Sequence, residues 1–207
     1  YNVHGDNFPS GYEHPVVTMV WGGKGVHGTW FSGNPEAIHG INWLPITGAS
    51  LYLGRWPEYG EKNYRSLLSE NALDDQKKAE KAGKPAPAGN GENWDAWPDI
   101  IRMYRALSDP SDALTQHLAA EQTGKIKMEE GNSRTNLNHW LHTLKVLGQV
   151  DRTVTADTIS YAVFNNGTSR SYAAWNLGAK PLEVTFSDGM KLTVPPQRSV
   201  LQKSTRK

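Results

Sequence analysis

Hydrophobic positions along the chain change period from place to place, and each change predicts a change of structure. Residues 16–21 (VVTMVW) and 26–31 (VHGTWF) read as two short strands. Between them, Gly22-Gly23-Lys24-Gly25 supplies the permissive dihedrals of a tight turn. In residues 34–54, Pro stands at 35 and 45 and Gly at 40, 48 and 54, too many interruptions for a long helix. Short helical turns joined by loops are expected there. Helical spacing then takes over. Residues 62–81 place Tyr64, Leu67 and Leu68 on one face before dissolving into the Pro/Gly/Ala loop 83–93. Residues 94–106 predict a helix with Trp97, Ile100, Ile101 and Tyr104 on one side and Asn93 as its N-cap. Another starts at Asp109-Pro110-Ser111, capped by Asp109 or Ser108 with Pro110 in the first turn. A third covers about 133–147, its apolar face built by Leu137, Trp140, Leu141, Leu144 and Val146 or Leu147, and Gly148 ends it. After residue 157 the period falls to two. Strands 159–164 and 171–176 flank a turn, 182–186 and 191–194 flank Ser187-Asp188-Gly189, and 199–201 is a last short strand. The order of β start, paired helices and β finish predicts a soluble α+β assembly.

Charge narrows the function classes. Twenty-two basic and 21 acidic residues are spread along the whole length, for a net charge of +1. Such a balance gives no electrostatic case for nucleic acid or an anionic membrane surface. No apolar run approaches the roughly 20 residues that a membrane-crossing helix needs. Cysteine is absent, which excludes disulfides and thiolate metal sites without deciding the compartment. The first residue is Tyr, so the expectation is a processed, nicked or partial chain. Eight Trp and eight Tyr are many for a chain that is 37% hydrophobic. Aromatic rings fill cores, and they also stack on the apolar faces of sugars.

Candidate chemistry is sparse. His139 and His142 are three apart on a helix, but no HExxH partner accompanies them, and the helix surface is the plainer reading. His4 and Asp6 offer two ligands in a loop, a weak metal signal. Neither GxSxG nor a phosphate loop nor GxGxxG occurs. Asn166-Gly167-Thr168 fits a glycosylation sequon, yet turn chemistry accounts for it. Residues 1–56 are different. Asp6, His14, Trp21, Lys24, Trp30, Glu36, His39, Asn42 and Trp43 fall within loop-like sequence, the mixture of flat rings and hydrogen-bonding groups that a sugar requires. His39 and Asn42 would share a face of one helical turn. Core tryptophans with turn-capping polar groups would give the same pattern, and spacing alone leaves the two readings level.

Residues 14–55, HPVVTMVWGGKGVHGTWFSGNPEAIHGINWLPITGASLYLGR, resemble glycoside hydrolase family 81 almost without interruption. The likeness continues through WDAWPDIIRMYRALSDPSDAL, EEGNSRTNLNHWLHTL, TADTISYAVFNNGTSRSYAAWNLGAKPLEVTFSDG and VPP, and weakens only at about 72–92. The WFSGNPEAIHGINWLP block is its most specific part. The resemblance implies a secreted, endo-acting, inverting hydrolase of β-1,3-glucans such as laminarin, curdlan or fungal wall glucan; from the residues themselves, no cofactor or metal is expected. Its implied fold is an amino-terminal β-sandwich, a linking domain and a large (α/α)6 barrel. An inverting enzyme needs an acid and a base roughly 6.5–9.5 Å apart. In the family these are an Asp and a Glu of a Glu-Ser-Ser-Ser-Glu-type motif, which is absent here. No catalytic residue carries over.

The expectation is therefore α+β: the carboxyl-terminal part of an (α/α)6 barrel, with an initial β-hairpin and terminal antiparallel β-strands. Residues 1–157 would be the barrel part, with cleft loops at 1–56, and 158–207 a strand region packing on the body. Expected substrate contacts are His14, Trp21, Lys24, Trp30, His39 and Asn42. Expected partners are β-1,3-glucan and the upstream polypeptide of the same enzyme. The alternatives are a non-catalytic β-glucan-binding module and a protein-interaction domain. Should the chain cut glucan alone, Asp6, Glu13 and Glu36 become the candidate carboxylates.

Overall fold

The computed structural model describes residues 32–124 and 126–205. The strands expected at 16–21 and 26–31 lie outside the described residues. The chain divides into two compact units, Tyr1–Leu141 and His142–Lys207.

The described residues of the first unit form helices and their connections. The interrupted segment forms a short helix, α1 (Pro35–Gly40), and a 3-10 helix, Gly48–Arg55, as the spacing of Pro and Gly predicts. Helix α2 (Pro57–Ala82) starts five residues before the expected 62, because Pro57 can occupy a first turn that needs no N–H from it. It ends where Gly83 takes the left-handed conformation at φ 65° and the Lys84 N–H returns to the Ala79 carbonyl. Tyr64 and Leu67 are buried on one face, with Asn63 and Asn71 beside them.

Helix α3 (Pro98–Arg105) starts later than the expected residue 94, and Asn93 is not its cap. Trp97 precedes a proline, where helical backbone is disfavoured, and sits at φ 52°. Every residue of α3 is buried, Asp99, Arg102 and Arg105 included. Asp99 accepts the Glu129 N–H at 3.1 Å and Asn132 Nδ2 at 2.6 Å. Helix α4 (Pro110–Gln122) begins as the sequence indicates, with Asp109 Oδ1 accepting the Ser111 and Asp112 N–H groups. Helix α5 (Arg134–Leu147) buries Leu137, Trp140, Leu141 and Leu144 and leaves Val146 exposed, so the apolar face ends with the half-buried Leu147. His139 and His142 are exposed on it. No described helix is long and apolar enough to cross a membrane.

The second unit is antiparallel sheet. Four strands, β1 (Gln149–Val150), β2 (Tyr161–Asn165), β3 (Ser169–Asn176) and β6 (Arg198–Thr205), pair in the order β1-β2-β3-β6, and β4 (Leu182–Thr185) pairs with β5 (Lys191–Val194). Both expected hairpins are present. Strand β1 is additional, two residues being too short for a period to show. At the first turn, Asn166 Oδ1 accepts the N–H groups of Thr168 and Ser169 while its Nδ2 donates to the Val146 carbonyl, so turn chemistry uses the sequon side chain fully. Val154, Val163, Tyr172, Ala174, Val184, Phe186, Leu192 and Val194 form one core between the sheets, with the Tyr161 and Tyr172 rings edge-on to Phe186.

One ion cluster ties this core at its rim. Arg170 donates from Nε to Asp151 at 2.9 Å and from Nη1 to Asp188 at 3.1 Å, and the Tyr172 hydroxyl donates to Asp188 at 2.5 Å. Burial alone would raise both carboxyls, but the Thr153, Arg170, Tyr172 and Met190 donors outweigh it and hold them below the usual aspartate range. Folded values below unfolded ones mean stability that is present at neutral pH and lost as pH falls below about 4 through the depressed values. Arg170→Ala is expected to cost about 1.5–3 kcal/mol at pH 7, read by urea denaturation, with the difference shrinking below pH 4. A pH-independent difference would contradict this.

Candidate functional site

Residues of the WFSGNPEAIHGINWLP block that are described form α1 and a polar cluster around it. Asn34 starts the helix. Its backbone is extended, its Oδ1 accepts the Glu36 N–H at 2.8 Å, and Pro35 fills the first turn. Past the end of α1, Asn42 Nδ2 turns back to the Ile38 carbonyl at 2.7 Å. His39 is 0% exposed, with Nε2 3.2 Å from Glu70 Oε1 on α2 and its ring edge-on to Trp43 at 5.8 Å. Trp43 lies flat on Tyr104 of α3, ring centroids 3.9 Å apart and planes 1° from parallel. The Tyr104 hydroxyl in turn accepts Asn63 Nδ2 from α2 at 2.8 Å. One stack thus locks the block to two helices.

Glu36 is fully enclosed as well. Its carboxylate accepts the N–H of Asp95 at 3.0 Å and that of Ala96. Burial pushes its carboxyl above the usual glutamate range, with the two N–H groups opposing. Occupied by main-chain donors and shut off from solvent, Glu36 clasps the 94–97 loop. It is not placed to act on a glycosidic oxygen. Lys78 reinforces the clasp through Asp95 at 3.1 Å, and Lys127 donates to the Asp95 carbonyl. Gly40 completes it: a Cβ there would stand 2.4 Å from Trp97 Cε3.

A second polar network flanks the first. Arg105 donates to Asp112 at 2.6 Å and to Glu61, and lies 4.4 Å over the Tyr64 ring. The Tyr64 hydroxyl donates to Glu92 at 3.1 Å and accepts Gln116 Nε2 at 2.8 Å, and burial raises its pKa well above the usual range. Asn71 Nδ2 donates to the Gly91 carbonyl at 2.8 Å and so pins the 83–93 loop to α2.

Of the six residues expected to contact sugar, His14, Trp21, Lys24 and Trp30 lie outside the described residues, as do His4, Asp6 and Glu13. The other two are described. His39 is enclosed and Asn42 is half-buried, and they make different bonds instead of sharing one helical face, since α1 ends between them. Sequence reasoning missed the Trp43–Tyr104–Asn63 relay and the Glu36 clasp. Separations of 61 and about 60 residues leave no periodic signal to find such contacts. It also missed that Trp94 and Trp97, half-buried, belong to a loop beside α1 and not to a helix. Among the described residues the Trp43 Nε1–H, though buried, meets no acceptor.

Residues 3–142 match the family model for the glycosyl hydrolase family 81 C-terminal domain. The chain belongs to glycoside hydrolase family 81. Among family 81 relatives, a glucan endo-1,3-β-D-glucosidase of Thermobifida fusca is 44% identical over 195 residues, 94% of this chain and 23% of the relative. One of the same name from Acetivibrio thermocellus is 39% identical over 196 residues, 95% of this chain and 22% of the relative. A solved glycoside hydrolase family 81 structure from Clostridium thermocellum is similar at TM-score 0.66 and 37% identity, covering 86% of this chain and 22% of that one. The chain therefore spans less than a quarter of the length of these family 81 relatives.

Proposed function

We propose that this chain is the carboxyl-terminal part of a secreted, endo-acting glycoside hydrolase that cleaves β-1,3-glucan with inversion, its acid and base lying on the upstream polypeptide. One observation carries the reading: nearly the whole chain aligns with under a quarter of relatives named glucan endo-1,3-β-D-glucosidase, in the family's C-terminal domain. One feature of the chain supports it: the enclosed Glu36 is spent on backbone donors. In this reading residues 1–157 complete an (α/α)6 barrel and its cleft, and 158–207 form the terminal strand region.

His14, Trp21, Lys24, Trp30 and Asn42 contribute sugar contacts, while the enclosed His39 acts by holding Trp43 and α1 in place. Single Ala variants of these six, assayed in the enzyme assembled with its upstream part, are expected to raise KM for laminarin or lower kcat by about tenfold or more for the contact residues. Six variants with unchanged KM and kcat would remove the contact assignment. Proton NMR of the first product anomer is expected to show inversion.

A further inference from the structure

Antiparallel sheets exposed on one side alternate apolar-in with polar-out. Strand β3 breaks that rule at one end. Tyr172 and Ala174 face the core, so Ala173 and Trp175 face outward. Opposite Ala173 on β6 is Leu201, diagonal to Trp175 and within reach of its ring. Leu177 follows two positions after Trp175. Trp175, Leu177 and Leu201 are 49–76% exposed. The same outward face is closed at its other end, where Ser169 and Ser171 are buried. Single exposed apolar residues are ordinary, but a cluster on one sheet face marks a surface that is covered in use.

We propose that the outward face around Trp175 and Leu201 is a docking surface for the upstream polypeptide of the same enzyme, an inference that rests on the hydrolase reading above. Length favours this occupant: relatives extend over four times the matched region, so most of their surface is available to cover an apolar face here. Composition favours it over glucan. Sugar platforms are built of aromatic rings with hydrogen-bonding neighbours, whereas two of these three side chains are aliphatic.

The chain has no cysteine, so Leu201→Cys carries a single thiol. Its alkylation by N-ethylmaleimide, followed by mass spectrometry, is measured with and without the upstream polypeptide. At least tenfold slower labelling in the mixture is expected, with Glu183→Cys, exposed on β4, unchanged. Trp175→Ser is expected to weaken association at least tenfold while leaving the melting temperature of the chain alone within the usual range for surface changes. Equal labelling of Leu201→Cys in a mixture that associates and cuts laminarin overturns the docking surface and leaves the hydrolase reading standing. Protection that grows with the concentration of this chain alone, or appears with laminarin alone, overturns it in favour of a second copy or of glucan. A mixture that neither associates nor cuts laminarin overturns both.

Discussion

Trp43→Ala is expected to remove about 3–5 kcal/mol of stability from the helical unit and to abolish laminarin cleavage by the assembled enzyme. Trp43 is 3% exposed and its whole ring lies on Tyr104, which is itself fully buried and held by Asn63. Truncation would leave a cavity between α1 and α3 and free His39, whose ring edge faces the indole. Because α1 carries the most specific part of the family block, movement there would reach the cleft of the proposed enzyme. Trp43→Phe keeps a ring on Tyr104 and should retain more than half of the lost stability. Urea denaturation gives the first number and reducing-sugar release the second. A loss under about 1 kcal/mol, in the range of ordinary surface changes, would show that the stack does not hold the block.

The second large effect is expected at the junction between helix and sheet. Gly148 ends α5 at φ 86°, where a left-handed backbone favours glycine, and a Cβ there would meet the Asn165 carbonyl oxygen at 2.2 Å. Both obstacles are main chain and cannot rotate away. Gly148→Ala should cost about 1–3 kcal/mol from the dihedral alone, with the overlap adding to it. Since β1 pairs Gln149 with Asn165, the displaced strand is the one next to the turn at Asn166. Hydrogen exchange at β1 and β2 should accelerate while α3 amides stay protected. Unchanged exchange in β1 and β2 would contradict the packing at Gly148.

Local physics made much of the fold legible in sequence. Asp109 before Pro110 announces α4 because a carboxylate cap and an N–H-free first turn are both local requirements. The period-two runs at 161–165 and 191–194 are strands because each has one face on the Phe186 core. Failures came where distant groups decide. Residues 94–97 have helical composition, but Glu36, some 60 positions earlier, takes their N–H groups and Pro98 resets the start of α3. The division of the chain at Leu141 and His142 falls inside α5, where the hydrophobic period continues unbroken. At the site, spacing singled out residues 1–56 but could not separate core from contact. His39, a polar residue on a one-turn helix, turns out enclosed beside Glu70, a partner that only the packing of α1 on α2 supplies.

We propose that the carboxylates that cut glucan lie on the upstream polypeptide and not on this chain. The most direct test is reducing-sugar release from laminarin by the purified 207-residue chain, alone and after mixing with the upstream polypeptide, with denaturing mass spectrometry confirming what each sample contains. No release by the chain alone and restored endo-cleavage in the mixture are expected. Release by the chain alone, at the rate of the mixture, would contradict this placement and turn attention to Asp6 and Glu13.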